Sequence, residues 1–520
     1  MTLIQWFIFF LVLQVIHFLG TWKLYEKAEK NKWLALVPVY NAVVFMDIIK
    51  RPKWWVILLF IPVVNLFIFA AIWVDTVACF RHDTPKDKWL AVLTLGLYIF
   101  KINYDSKTQY RPIKIKNDDS FLSAVVFAVV VATIVHTYIM QPYAIPTSSL
   151  EKSLLVGDYL LVSKFHYGAK TPTTPLAFPM VHDSLPFGGL KSYLSKPQLP
   201  SFRFPGFRKI KNNDIVVFHW PADTVYMFRD AKQRHIDKPL DKRSNYVKRC
   251  VAIAGDKLEI RDGEIYINDT LSKMPYRADL QYMYDVAAKD NEHLSPTFFQ
   301  KYHITEGATL GVTKQNPLGN GKYILNLTKK KYEALLKNPI IKSVVRKDDP
   351  KGVFNKALFP HSIDYKWSRD NYGPLQIPKK GDVVPLNKKT FPLYKRLIEV
   401  YEHNDIQLDG DTVLLNGKPT DSYTIKQDYY WMMGDNRHNS EDSRYWGFVP
   451  FDHVVGTPVF IFWSWDMNAK NFGEKIKSIR WNRVMSTVAG DGERISYRYW
   501  IFGAIFLYIL YGFVARRRRK

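Results

Sequence analysis

Five stretches of the chain are apolar almost throughout, and longer polar or alternating stretches separate them. Residues 3–22, 54–74, 121–140 and 499–515 approach the roughly 20 residues that carry a helix across a bilayer; 89–100 is shorter. Residues 33–49 are semi-apolar and broken by Pro38 and Asn41, as expected of a segment that lies in the interface or re-enters. No positive n-region or small-residue cleavage site marks 3–22, so it reads as an anchor, not a removable signal. Between 141 and 497 the pattern changes. Short apolar or alternating runs with Gly, Asn and Asp between them predict strands at 214–218, 257–267 and 412–418. The second contains Asp262-Gly263 and the third Asn416-Gly417, both hairpin signals. A helix is predicted at 329–337, and no short-period repeat stands out.

With 520 residues the chain is long enough for several domains. It is 47% hydrophobic and 15% aromatic, yet its mean hydropathy is only -0.17, so the apolar residues are concentrated in segments. The net charge is +25. Its basic residues flank the apolar runs and close the chain as Arg516-Arg517-Arg518-Arg519-Lys520. That arrangement points to membrane topology and anionic lipid, not to nucleic acid. Loops 23–53 and 101–119 and the basic tail are expected to be cytoplasmic. Five spans with the N-terminus outside satisfy all three and put 141–497 outside. Arg81, Lys86 and Lys88, in a supposed outer loop, count against five. Cys79 and Cys250 are the only cysteines, too few for a disulfide framework or a Cys-rich metal site.

Three stretches carry candidate chemistry. The first follows the fourth apolar run: Gln-Pro-Tyr-Ala-Ile-Pro-Thr-Ser-Ser-Leu over 141–150, then a Gly157-Asp158 turn between apolar runs. Alone, the hydroxyls of Thr147, Ser148 and Ser149 fit a turn or a helix cap as well as a nucleophile. The second places Lys248 in an apolar strand pattern, Asn245 to Asp256. A buried lysine loses charge readily and can act as a neutral base; one on an edge strand would simply face solvent. The third, 431–450, is dense in Gly, aromatics and charge. There Asp435, Asn436, Asp442 and Arg444 suit a paired network that fixes a loop.

Together the three stretches resemble the bacterial type I signal peptidases, the Ser-Lys enzymes that remove signal peptides. Ile145-Pro-Thr-Ser-Ser-Leu-Glu-Lys-Ser-Leu154 stands where the family has I-P-S-G-S-M-x-P-T-L. Tyr246-Val-Lys-Arg249 with Gly255-Asp256 matches Y-[IV]-K-R and P-G-D. Gly434-Asp-Asn-Arg437, Asn439-Ser440 and Asp442-Ser-Arg-Tyr-Trp-Gly447 match nearly all of G-D-N-R-D-N-S-x-D-S-R-Y-W-G. The resemblance implies Ser149 as nucleophile, Lys248 as general base and Ser440 as the residue that orients the lysine. It implies Thr147 as an oxyanion donor, Asp442 and Arg444 as a supporting ion pair, and Ile145, Pro146, Leu150, Tyr246 and Val247 as pocket walls for small side chains. It implies no metal or other cofactor. Partners are signal-peptide-bearing preproteins and membrane lipids.

The expected fold class is a multi-pass α-helical anchor plus a mostly β extracytoplasmic catalytic domain with a large inserted subdomain. The expected division is a multi-span region over 1–119, a span at 120–140, the first part of the core at 141–267, the insert at 268–428, the second part of the core at 429–497, and a last span with its basic tail at 498–520. The location is the plasma membrane, with the C-terminus cytoplasmic. Departures from the family are Thr147, Ser148, Leu150, Lys152, Ala254 and His438, the last in place of an acid. A further one is an apparent insertion over 171–208, read as a segment dipping into the bilayer surface or covering the site. Two other readings compete. Ser149-Leu-Glu-Lys152 fits the S-x-x-K of penicillin-binding proteins, but their S-D-N and K-T-G partners are missing. A catalytically dead peptidase fold could serve as a membrane scaffold; retention of Ser149 and Lys248 speaks against it.

Overall fold

The computed structural model describes residues 3–112, 121–185, 190–222, 237–313, 316, 318–469, 471–490 and 492–518. Lys114, Lys116, Arg519 and Lys520, which entered the topology argument, lie outside the described residues. The chain forms two compact units. One comprises Met1–Met140, Ala169–Phe204 and Thr224–Arg243; the other comprises Gln141–Gly168, Pro205–Asp223 and Ser244–Lys520.

The first unit is mainly helical, with helices α1 (Leu3–Lys27), α2 (Tyr40–Ile48), α3 (Trp55–Leu58), α4 (Val64–Cys79), α5 (Pro85–Leu93), α6 (Tyr98–Tyr104) and α7 (Phe121–Ile134). Leu24, Tyr25, Phe45, Ile48, Val64, Phe80 and Ile102 belong to one buried cluster. Two expected spans are corrected here. Residues 54–74 are not one helix, because Pro62 cannot donate to a helical ladder and Val63 turns to φ 68 between α3 and α4. Residues 89–100 are likewise split: α5 ends at Leu93, Leu95 at φ 52 and Gly96 at φ 84 turn the chain left-handed, and the Trp73 ring lies where a side chain at 96 would go. The breaks also expose a repeat that the pattern of hydropathy hides. Pro38-Val39-Tyr40-Asn41 and Pro62-Val63-Val64-Asn65 share a motif, and Val39 at φ 66, ψ -48 matches Val63 at φ 68, ψ -46. Among the described residues two helices are long and apolar enough to cross a membrane, Ile4–Lys27 and Arg498–Ala515. Helix α7 is followed by a π-turn, Val135–Ile139, so the helical run from Phe121 ends at Ile139.

The second unit is mostly β. Its main sheet contains β1 (Met140–Ala144), β2 (Asp158–Ser163), β3 (Ile215–His219), β4 (Asn245–Ala252), β5 (Tyr429–Met433), β6 (Val449–Pro450), β7 (Val454–Ser464) and β8 (Ser486–Thr487). The order is β1-β2-β7-β3-β4-β5-β6, with β8 on β7. Pairs β2–β7, β7–β3, β3–β4 and β4–β5 are antiparallel. Apolar residues cover both faces of this sheet. Val216, Phe218, Cys250 and Met432 belong to one cluster, and Leu160, Val162, Val217 and Ile461 to another. Both faces are therefore buried, which explains why these strands read as continuous apolar runs.

The Asp262-Gly263 and Asn416-Gly417 turns do close hairpins, Lys257–Arg261 with Glu264–Ile267 and Thr412–Leu415 with Lys418–Thr420. The helix expected at 329–337 spans Lys329–Leu336, capped by the Thr328 side chain. It packs with a separate sheet whose order is Ile341–Arg346, Gln281–Ala288, Lys322–Thr328, Gly307–Thr309. That sheet has its own core, including Tyr284, Val286, Leu325, Leu327 and Leu335.

Candidate active site

Three elements of the second unit bring the candidate side chains together. Ser148–Leu150 is a single 3₁₀ turn between β1 and β2. The carbonyl of Ile145 accepts from Gly157 N–H and its own N–H donates to Asp158 O, so the loop closes on itself. Leu150 and Leu154 are buried beneath it. Strand β4 carries Lys248, opposite Val216 of β3. The segment after β5 carries Gly434 to Arg444.

The Lys248 Nζ lies 2.5 Å from the Ser149 Oγ. Both residues are buried, Lys248 at 3% exposure and Ser149 at 8%. Burial pushes the Lys248 ammonium down to about 8, although the carboxylates of Asp442, Glu441 and Asp435 pull it upward. A lysine so placed is neutral for about a tenth of the time at pH 7, far more than an exposed lysine, and a neutral amine can take a hydroxyl proton. The ring of Tyr246 lies 5.3 Å from the same Nζ. Tyr246 is held against Trp220 and Trp446, with centroids 5.1 and 5.5 Å away.

The loop after β5 is fixed by two buried ion pairs. Arg444 binds Asp442 through two N–H groups at 2.9 and 2.8 Å. Burial alone would raise the Asp442 carboxyl; Arg444 outweighs it, and the net direction is down. Asp442 also accepts from Gly434 N–H at 3.1 Å. Arg249 binds Asp435 at 2.8 and 2.6 Å. Both pairs are bidentate and dry, the geometry in which removing one partner strands a buried charge. The approach to the nucleophile loop is close. A Cβ on Gly434 would fall 2.2 Å from Ser440 Oγ and 2.5 Å from Ser149 O, so no larger residue fits. The Ser440 hydroxyl is buried and has no hydrogen-bond partner among the described residues.

Of the remaining residues singled out from sequence, Ile145 and Leu150 are buried, Tyr246 and Val247 are half-buried, and Pro146 and Thr147 are exposed. Ile145, Leu150 and Val247 share one apolar cluster. His438, where the family has an acid, donates from Nε2 to a buried acid elsewhere: Asp370 Oδ1 lies 2.7 Å away, and Nδ1 accepts from Met283 N–H. Asp348, Asp370 and His438 lie close enough to share a cation. Both ring nitrogens of His438 are already engaged, so the cluster serves as a structural brace.

Sequence reasoning missed three residues. Arg249 stood in the quoted motif without a role, although a second charge in an apolar strand needs a partner. Glu306 and Asn326 contact this region from the separate sheet, and no spacing in the sequence signals them.

A family model described as "Signal peptidase, peptidase S26" matches residues 119–323 and 376–463. A second, described as a family of unknown function (DUF5684), matches 33–112. The chain is 26% identical to "Signal peptidase I" of Buchnera aphidicola over 74% of this chain and 88% of that protein. It is 23% identical to "Signal peptidase I" of Helicobacter pylori over 71% of this chain and 93% of that protein. With the protein of the same description from Haemophilus influenzae, identity is 23% over 71% and 76%.

Proposed function

The chain belongs to the signal peptidase family, peptidase S26, and on that premise we propose that Ser149 and Lys248 are the catalytic dyad with which it works. It is a serine peptidase that removes signal peptides from preproteins. The observation that carries the assignment is the buried 2.5 Å contact between Lys248 Nζ and Ser149 Oγ. Neutral Lys248 takes the Ser149 proton as the Oγ attacks the scissile carbonyl. The resulting lysinium gives that proton to the leaving amine, and an ester remains on Ser149. Lys248 then deprotonates the water that hydrolyses the ester. Asp442, Arg444, Arg249 and Asp435 hold the surrounding loop still. Ser440 is proposed to orient Lys248, a role its buried and unpartnered hydroxyl suits.

Strand β1 is the edge of its sheet. An extended substrate can add there by main-chain hydrogen bonds, with Ile145, Pro146, Leu150, Tyr246 and Val247 walling pockets for the small residues before the cleavage site. The direct test is incubation of purified full-length protein with a preprotein in detergent, followed by N-terminal sequencing. Cleavage at the signal junction supports the proposal; an uncleaved preprotein refutes it.

The oxyanion of the tetrahedral intermediate needs two donors, and these are proposed to be Ser149 N–H and the Thr147 hydroxyl. Thr147 is exposed, with extended backbone at φ -130, ψ 156, directly before the nucleophile turn. Thr147→Val keeps the shape and removes the donor. Its turnover is expected to fall about 100- to 1000-fold, with a smaller change in KM. Thr147→Ser should retain activity. Wild-type turnover in Thr147→Val would take the role away from this residue.

The proposed topology is multi-pass, refined to spans at 4–27, 121–139 and 498–515, with the N-terminus outside and the C-terminus cytoplasmic. It puts 141–497 outside the plasma membrane and all of 28–120 on the cytoplasmic side. Arg81, Lys86 and Lys88 then agree with the basic loops at 23–53 and 101–119 instead of opposing them. Reporters fused at Lys289 and after Lys520 should read opposite sides. The same side for both would remove the C-terminal span.

A further inference from the structure

We infer that Glu306 and Asn326, on the sheet inserted between the two parts of the catalytic core, are positioning residues that hold the nucleophile turn for cleavage. The inference rests on Ser149 being the nucleophile. Asn436 is the hinge of the argument. Its backbone N–H donates to Ser149 O at 3.0 Å, and its Nδ2 donates to Ser148 O at 3.2 Å. The two peptide units around the nucleophile are thus held by one residue. Asn436 is fully buried.

An asparagine amide turns easily about its last torsion. Flipped, it would set its own oxygen against Ser148 O. Two neighbours prevent the flip. Glu306 Oε2 accepts from Asn436 Nδ2 at 2.5 Å. Asn326 Nδ2 donates to Asn436 Oδ1 at 3.1 Å and to the same Glu306 oxygen at 3.0 Å. The ring of three groups accepts only one orientation of the Asn436 amide, and the carboxylate makes two of its hydrogen bonds charge-assisted.

The inserted sheet is built to deliver these groups. Asn326 sits opposite Met283, and Asn326 N–H donates to Glu306 O at 3.2 Å, which places the two residues side by side. Two residues before Met283, Gln281 forms a parallel bridge with Asn436. Gln281 N–H donates to Asp435 O at 2.9 Å, and Arg437 N–H donates to Gln281 O at 2.8 Å. The sheet is therefore docked on the segment 435–437 by backbone, while Glu306 and Asn326 set its side chain.

The test measures kcat and KM for preprotein cleavage by the full-length protein in detergent, together with the thermal midpoint. The variants are Glu306→Ala, Glu306→Gln, Asn326→Ala and, as control, Ser149→Ala. A loop displaced by about 1 Å can lose about 100-fold in rate. Glu306→Ala and Asn326→Ala are expected to lose about 10- to 100-fold in kcat, with KM changed by no more than about twofold. Glu306→Gln keeps an oxygen that accepts both N–H groups, and it should stay within about threefold of wild type. A folded Glu306→Ala with wild-type kcat would overturn the inference. So would a Glu306→Gln as slow as the alanine variant, or a loss confined to KM. If Glu306→Ala does not fold, Asn326→Ala decides: a slow kcat beside an active Glu306→Gln supports the inference, and a wild-type kcat overturns it. Activity in Ser149→Ala would instead indict the dyad on which the inference rests.

Discussion

Lys248→Met is expected to give a folded protein that cleaves no preprotein at a measurable rate. Methionine occupies nearly the same volume and reaches nearly as far, so it opens no large cavity. It also removes a buried amine that is charged below about pH 8, a change that proteins tolerate well when no buried counter-charge loses its only partner. That condition is met here: Asp442 and Asp435 keep Arg444 and Arg249. The midpoint of thermal unfolding should therefore hold. What disappears is the group that takes the Ser149 proton and returns it to the leaving amine. Loss of such a group in serine peptidases costs on the order of 10⁶ in turnover. The intact protein carries the same information in its pH profile. Burial lowers Lys248 to about 8, below which the lysine is protonated and unable to act as base. The value of kcat/KM should rise with pH and level off above that point. A flat profile between about pH 6 and 9, with chemistry limiting, would contradict the dyad.

The parts of this molecule legible in sequence share a property: their chemistry is local. Asp262-Gly263 and Asn416-Gly417 specify their own turns. The helix expected at 329–337 is equally local, and the structure adds Thr328 as its cap. The motifs around Ser149, Lys248 and Gly434 are each contiguous, and their chemistry requires that they meet. The parts that were not legible depend on groups far apart in the chain. Nothing near Glu306 indicates that its carboxylate reaches Asn436, 130 residues on. His438 looked like the loss of an acid, and the acid is supplied by Asp370, 68 residues away. The apolar runs misled in a different way. Hydropathy over 54–74 is high enough for a span, but it averages over Pro62, and one residue without an N–H is enough to divide the helix. At 89–100 only Ala91 and Ile99 are buried in the core shared with α4, while Trp89, Leu93, Leu95 and Leu97 are exposed, so an apolar run here marks neither one helix nor one buried face.

The most direct test of the account is the cleavage of one preprotein by Ser149→Ala and Ser148→Ala beside the wild-type protein. The two serines are adjacent, and only Ser149 Oγ lies within reach of Lys248; the Ser148 hydroxyl accepts from Asn439 at 3.4 Å. The account predicts that Ser149→Ala folds and leaves the preprotein intact, while Ser148→Ala releases the mature protein with the wild-type N-terminus. Wild-type cleavage by Ser149→Ala, or its loss in Ser148→Ala alone, would contradict it.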